Sequence, residues 1–281
     1  METPDWQVHE FNEDFYILRE SGCTHYEKPF LYLIFGKDRA LLQDTGAGKA
    51  DTKSIVDNVI SKWLRRKGRE SIPLVVVHSH AHGDHTSGDT QFRNQSGVEL
   101  APATVEGQSK VFGISRWPEA QGQIDLGDRV IDAIAIPGHD AAAVALYDRR
   151  TGVLLSGDNL YPGRLYVRDW GVFAASVARL VQFTRSRPVT HILGTHIEQK
   201  NQAYRDYPVG SLYQPQEHVL ELGRAHLLEL QDAMQKHPNP QRLAYRDFTI
   251  WPMNAEVSKE MGRVQKETEA QQRARQWDQE K

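Results

Sequence analysis

The run His80-Ala81-His82-Gly83-Asp84-His85 packs four metal-competent side chains into six positions. Imidazole nitrogen and carboxylate oxygen are donors that zinc and its first-row neighbours accept, and a divalent cation so held activates water for hydrolysis. Taken alone, such a run also fits a solvated loop, a surface metal scavenger or a purification tag. A tag is terminal and uniform, however, whereas this run is internal, contains Asp84 and follows the apolar stretch Leu74-Val75-Val76-Val77. Led in by Pro73, that stretch reads as a buried strand, so the donors would fan out from the end of a stiff element.

Three further positions repeat the arrangement one donor at a time. His139 follows Pro137-Gly138 and an apolar run ending at Ile136; Asp158 follows Val153-Leu154-Leu155-Ser156-Gly157; His196 follows Ile192-Leu193-Gly194-Thr195. In each, a glycine one or two residues before the donor lets the backbone turn tightly. Any one of them is more often a turn residue than a ligand. With the dense run, the three point to one convergent site.

The elements that must position these donors are readable from periodicity. Residues 6–19 read as strands, and 30–35 with 40–43 as a hairpin turning at Gly36-Lys37-Asp38. Asp44-Thr45-Gly46-Ala47-Gly48 breaks the pattern, and Ile55, Val59, Ile60, Trp63 and Leu64 then recur at helical spacing over 51–66. After the strand at 74–78 and the donor run, a helix is expected over about 85–94. A short strand at 98–100 and a helix at 103–110 precede strands at 129–136, 142–147 and 153–156. Phe173, Val177, Leu180 and Val181 mark a helix, and 191–194 a last strand. Strands then helix, twice over, suggest two halves of similar build packed as a sandwich, although no sequence repeat relates them.

Past Thr195 the texture changes. Residues 201–215 read as a cap loop rich in Tyr and Pro, with 207–215 reaching back near His196. An amphipathic helix is expected over 215–236, carrying Val219, Leu222, Leu227, Leu230 and Met234, then an edge strand over 245–251. The polar stretch 254–281 reads as a surface helix with Val257, Met261 and Val264 as a thin apolar stripe, a better account than an oligomerisation element. A homo-oligomer stays as the alternative. The expected organisation is a catalytic core over 1–200 with a C-terminal cap over 201–281 packed on it.

Composition narrows the function classes. The 281 residues, 39% hydrophobic, suffice for one large domain or two small ones. A net charge of -3 does not advertise nucleic-acid binding, and the single cysteine, Cys23, excludes an internal disulfide and a cysteine-rich zinc site. No run is apolar enough to span a bilayer, and residues 1–6 lack a basic region followed by an apolar core. A cytoplasmic chain with a small-molecule substrate, no nucleic acid and no membrane is expected, barring an export signal removed beforehand.

The set His80, His82, Asp84, His85, His139, Asp158 and His196, led by the Asp44-Thr45-Gly46 turn, resembles the metal-binding pattern of the metallo-β-lactamase-fold hydrolases. The match runs in motif order from about residue 6 to residue 196. The resemblance implies an α+β fold, a four-layer αββα sandwich with metals at one edge between two mixed sheets. It implies two divalent ions, zinc first, with manganese, iron or cobalt as alternatives. One would be held by His80, His82 and His139, the other by Asp84, His85 and His196, with Asp158 bridging. Asp44 would lie just behind the site and orient a ligand histidine, and His78 is expected to be an ordinary core residue. A water shared by two such ions has its pKa lowered from about 15.7 towards 7, which makes a bridging hydroxide available. Asp84 is the natural proton shuttle.

The bridging position separates branches of the family. True zinc β-lactamases usually carry cysteine or serine there; Asp158 instead resembles the lactonase, glyoxalase II, phosphodiesterase and tRNA-processing branches. Hydrolysis of a small carboxylic ester, lactone or thioester is therefore the leading expectation, with β-lactam hydrolysis minor. A phosphodiesterase or nuclease would want a basic track or an RNA-gripping arm, and neither stands out. A regulatory metal-binding scaffold would usually have lost donors, and this chain keeps the full set. Substrate selection falls to loops: His25 and Tyr26 within 23–29, and Tyr161, Arg164, Tyr166, Arg168 and Trp170 after Asp158. That mixture suits a molecule with an apolar body and a carboxylate or polar head.

Overall fold

Two six-stranded sheets carry the fold in the computed structural model, which describes residues 4–279, with side chains through 272. Residues 1–3 and 280–281, which enter the expectations about a leader and a tail, lie outside the described residues. The first sheet runs in chain order: β1 (Trp6–Asn12), β2 (Phe15–Glu20), β3 (Phe30–Phe35), β4 (Ala40–Gln43), β5 (Leu74–Val77) and β6 (Val98–Leu100). β1 to β4 form an antiparallel meander. Helix α1 (Thr52–Lys67) then carries the chain back, so that β5 lies parallel to β4. It starts where the Asp51 side chain accepts from Ser54 N at 3.0 Å and stops at Gly68 in the left-handed region. Its Val56, Val59 and Trp63 cover the outer face of the sheet against Leu33, Phe35 and Leu42. All four residues of β5 are buried, as a strand covered on both faces must be.

Short helices α2 (Gly83–Thr86), α3 (Asp89–Phe92) and α4 (Val105–Phe112) lead to the second sheet. It contains β7 (Gln121–Asp125), β8 (Val130–Ala135), β9 (Val144–Asp148) and β10 (Val153–Gly157). The chain then makes β11 (Arg164–Val167) and helix α5 (Trp170–Thr184), and returns as β12 (His191–Gly194) and β13 (Glu221–Leu222). The order across this sheet is β13-β12-β10-β9-β8-β7. Helix α6 (Arg224–Lys236) packs with α5 over its outer face, where Phe173, Val177, Leu180, Leu227 and Leu230 share one core. Between the sheets, Tyr32, Ile34 and Val75 meet Ala133, Val144, Leu146 and Leu155. The result is an α+β sandwich in four layers, helix, sheet, sheet, helix. Strand β14 (Leu243–Ala244) and β15 (Thr249–Pro252) join β11 in a third, small sheet ordered β11-β15-β14, and α7 (Ala255–Gln279) follows.

The sheets are tied at both ends. At one end Val144 N–H donates to Ser79 O and Phe30 N–H to Thr195 O, each at 2.8 Å. At the other, buried Arg129 pairs with Asp148 at 3.1 and 2.6 Å and donates to Asp14 O and Phe35 O at 2.8 and 2.9 Å. Among the described residues no helix is long and apolar enough to cross a membrane.

Several sequence expectations need correction. The helix expected over 85–94 is two four-residue helices that meet at Ser87-Gly88, where Gly88 packs against Thr45 O too closely for any side chain. The helix expected from 215 begins only at Arg224: Glu221–Leu222 is drawn out to pair with β12, and Val219 is 62% exposed rather than on a buried face. The edge strand expected over 245–251 is β15, the middle strand of its sheet. Neither β7 nor β11 was anticipated. In α7, Met261, Val264, Gln265 and Thr268 are half-buried, and Leu212 N–H donates to Gln272 Oε1 at 2.7 Å.

Candidate metal centre

Strands β4 and β5 run parallel, as do β10 and β12, while β8 is antiparallel to β9 and β9 to β10. The segments that follow β4, β5, β8, β10 and β12 therefore gather at one edge of the sandwich. There the seven donors form two groups: His80, His82, His139 and Asp158, and Asp84, His85 and His196.

In the first group, His82 Nδ1 faces His80 Nε2 at 2.9 Å and His139 Nε2 at 3.1 Å. Asp158 Oδ2 stands 3.7 and 3.4 Å from those two Nε2 atoms. In the second, Asp84 Oδ2 lies 2.9 Å from His85 Nε2 and 3.1 Å from His196 Nε2, which are 3.2 Å apart. Asp158 turns its other oxygen, Oδ1, to this group, 3.7 Å from His85 Nε2 and 3.4 Å from His196 Nε2. One carboxylate thus straddles both groups, with Oδ1 also accepting from the Thr195 hydroxyl.

The outward ring nitrogens decide what the inward ones can do. A carbonyl oxygen only accepts, so His139 Nδ1–H must donate to Tyr166 O at 2.7 Å, and His196 Nδ1–H to Glu27 O at 3.0 Å. His85 Nδ1 sits 3.0 Å from Asp44 Oδ2. Ser79 gives its hydroxyl proton to the same Oδ2 at 2.7 Å, so His80 Nδ1–H donates to Ser79 Oγ at 3.0 Å. In the neutral ring each of these four histidines therefore turns an Nε2 lone pair inward, where only other lone pairs and carboxylate oxygens face it. His82 Nε2 is buried without a partner among the described residues. This donor set, rich in imidazole and bridged by a carboxylate, fits a pair of divalent cations of the zinc type.

Electrostatics divide the groups. Burial and the neighbouring His85 hold His80 well below the ordinary histidine range despite Asp158. Burial, then His139, push His82 down to about 4 against the pull of Asp158 and Asp84, with Arg168 adding to the push. In the second group burial again disfavours charge, yet Asp84, Asp44 and Asp158 raise His85 well above its usual value. Asp158 and Asp84 bring His196 up to about 9 in the same way. Burial works against ionising Asp84, but His85 and His196 hold it well below the carboxylate range; His196 and His80 do the same for Asp158.

A cavity of about 160 Å³ opens over the donors. Tyr26 and Glu27 from the β2–β3 loop form one wall, and Tyr161, Arg164, Tyr166 and Arg168 another. The cap loop contributes Pro208, Gly210, Ser211 and Gln214; Met253, just after β15, and Met261 of α7 close the remaining side. Two residues expected at the entrance are elsewhere. His25 does not line the cavity but packs its ring 5.0 Å from that of Tyr26. Trp170 is buried between α5 and α6, its indole N–H donating to His237 O at 2.8 Å, because the chain turns away from the site once β11 has paired with β15. His78 is fully buried, with Nε2 2.9 Å from Asp89.

Sequence reading missed Glu27, Glu198, Met253 and Met261. Glu198 binds Arg164 Nη2 at 2.7 Å and only its place two residues after His196 hinted at it. Met261 showed in the sequence only as part of a thin apolar stripe, with no sign that it lines the cavity.

The match to known proteins agrees with this geometry. The family model described as "Metallo-beta-lactamase superfamily" matches residues 29–206. The human protein named acyl-coenzyme A thioesterase MBLAC2 is 23% identical over 237 residues, covering 70% of this chain and 83% of its own length. A hydroxyacylglutathione hydrolase of Erythrobacter litoralis (strain HTCC2594) is 28% identical over 145 residues, 50% of this chain and 56% of that one. Among solved structures, a metallo-beta-lactamase from Pontibacter korlensis superposes with a TM-score of 0.56 at 16% identity, covering 83% of this chain and 100% of that one.

Proposed function

The chain belongs to the metallo-beta-lactamase superfamily, and from that premise we propose that it is a two-metal hydrolase of thioesters formed by small carboxylic acids. The observation that carries the two-metal reading is Asp158, whose two oxygens are divided between two groups of inward-facing imidazoles. Preference for a thioester over an oxygen ester or lactone is supported by the relatives, since an acyl-coenzyme A thioesterase and hydroxyacylglutathione hydrolases are among them.

His80, His82 and His139 would hold one cation, Asp84, His85 and His196 the other, with Asp158 between them. Bound there, two divalent cations supply an ionised water at neutral pH and polarise the thioester carbonyl. The chain's own residues do the rest. Asp44, Ser79, Tyr166 O and Glu27 O hold four imidazoles in the tautomer that points lone pairs inward, which removes reorganisation from the reaction. Asp84, kept ionised through the neutral range by His85 and His196, would take a proton from the attacking water and return it. Water adds to the carbonyl carbon, the C–S bond breaks, and the returned proton completes the thiol beside the carboxylic acid product. Met253, Met261 and Pro208 give the cavity lining an apolar part.

The test is a panel run on the zinc-loaded chain: S-acyl thioesters, nitrophenyl esters, lactones and bis-nitrophenyl phosphate. Thioesters are expected to exceed the other classes by about tenfold or more in kcat/KM, an advantage of about 1.4 kcal/mol in transition-state binding. Faster phosphodiester cleavage would overturn the assignment. His82→Ala should lose metal and turnover while keeping the fold, and full turnover by that variant without metal would refute the mechanism.

A further inference from the structure

We infer that Arg168 selects substrates carrying an anionic group outside the bond that breaks, a carboxylate or a phosphate, and grips that group at the mouth of the metal cavity. The inference rests on the thioester reading and sharpens it.

Two arginines line the cavity, and their circumstances are opposite. Arg164 is buried and fully engaged: Nη2 binds Glu198 Oε1 at 2.7 Å, Nη1 donates to Tyr207 O at 2.7 Å, and Nε donates to the Tyr166 hydroxyl at 2.9 Å. It is a strut. Arg168 is exposed, and among the described residues its guanidinium has no acid or carbonyl partner, although it is one of the residues lining the cavity with His82.

The acids of the cavity wall do not neutralise it. Asp84 and Asp158 face the histidines, Glu27 accepts from the Tyr26 hydroxyl at 2.7 Å, and Glu198 is taken by Arg164. The free cation therefore looks outward to whatever enters.

Its position is held even though its tip is free. Arg168 N–H and Asp169 N–H both donate to Gly138 O, at 2.9 and 3.0 Å, one residue before the donor His139. Gly138 itself has φ 130° and presses on the backbone of Phe173, so this junction tolerates no side chain. The base of Arg168 is thus fixed relative to the metal donors while the planar fork stays available. That fork matches carboxylate and phosphate geometry, and its charge is only weakly hydrated. Ile197, Met253 and Met261 add apolar side chains to the same lining for the body of the molecule, Met253 beside Arg168, its N–H donating to Val167 O at 2.7 Å.

The experiment compares wild type with R168Q, both zinc-loaded and full-length, on three thioesters. S-butyryl-N-acetylcysteamine is uncharged, S-succinyl-N-acetylcysteamine carries a carboxylate on the acyl side, and butyryl-coenzyme A carries phosphates on the thiol side. In R168Q the kcat/KM of an anionic substrate relative to the uncharged one should fall about tenfold, mainly through KM. A fall confined to the succinyl ester assigns the grip to the acyl side, one confined to the coenzyme A ester to the thiol side. Ratios equal in both proteins overturn the inference. A wild type that cleaves none of the three sinks the thioester reading but leaves Arg168 testable by calorimetry. Wild type should then bind succinate more tightly than butyrate, or 4′-phosphopantetheine more tightly than pantetheine, and R168Q should lose that gap; equal gaps refute it.

Discussion

The buried carboxylate of Asp44 stands 3.0 Å from His85 Nδ1 and, through the Ser79 hydroxyl at 2.7 Å, also governs the orientation of His80. A single residue, itself held at φ 70°, therefore aims one imidazole in each metal group. Replacing Asp44 with Ala frees both rings and leaves Ser79 without its acceptor. Metal affinity should fall by about 10–100-fold, the usual cost of losing such a partner. Elemental analysis after dialysis against buffered zinc reads the loss at both positions, and unchanged stoichiometry at limiting zinc would contradict it.

The two metal groups should fill with different pH dependence. In the metal-free chain His85 is raised well above the ordinary range and His196 to about 9, so both carry protons that a cation must displace. His80 and His82 lie below their usual value and are already neutral at pH 7. One equivalent should bind with little pH dependence above pH 7, and the other more tightly as pH rises towards 9. A chelator-competition titration at several pH values checks this; equal slopes for both steps would count against it.

The same shifts give a stability prediction for the metal-free protein. Groups whose folded-state pKa is raised stabilise fully below their unfolded value, about 6.5 for histidine, and lose that contribution as pH climbs through the folded value. The melting temperature of the metal-free chain should decline between about pH 6.5 and 9. His196→Gln should flatten the decline.

Met261 reaches the cavity from α7, a helix fastened by Gln272 to the cap loop. Met261→Ala should raise KM several-fold for thioesters with longer apolar acyl groups and less for acetyl. Because the side chain is only half-buried, the stability cost should stay near about 1 kcal/mol. Equal KM shifts for every acyl length would remove Met261 from the substrate contact.

At the far end of the sandwich, Arg129→Met leaves Asp148 buried without its guanidinium partner, keeping only the Thr151 hydroxyl and the Arg150 amide. Removing one member of a buried pair costs about 3–5 kcal/mol. Denaturant midpoints should show it, while turnover per folded molecule stays near wild type.

The convergence of the metal donors was legible because each follows an apolar strand, and strand ends are where a chain can present a side chain from a rigid base. The sandwich of two similar halves was legible in apolar periods such as Val59 and Trp63 in α1, whereas the four-layer αββα order came with the family resemblance. The cavity walls were not legible. β7 buries only Gly122 and Ile124 and so lacks the apolar signal of a strand. Trp170 sits close to Asp158 in the chain, yet it is buried in the core shared by α5 and α6, its indole N–H on His237 O. The stripe of Val257, Met261 and Val264 marked a packed face of α7, but which distant element that face meets is not encoded in a local period.

His80, His82, Asp84 and His85 hang from the first sheet, after β5, whereas His139, Asp158 and His196 hang from the second, after β8, β10 and β12. Cations bound there would act as rivets through the sandwich, in a chain whose lone, exposed Cys23 offers no disulfide to do so. At a hundredfold excess over Kd each would add about 2.7 kcal/mol to the folded state. Heat tolerance then becomes a gauge of metal supply. A starved molecule slackens first where it works, while Arg129 still clasps the other end.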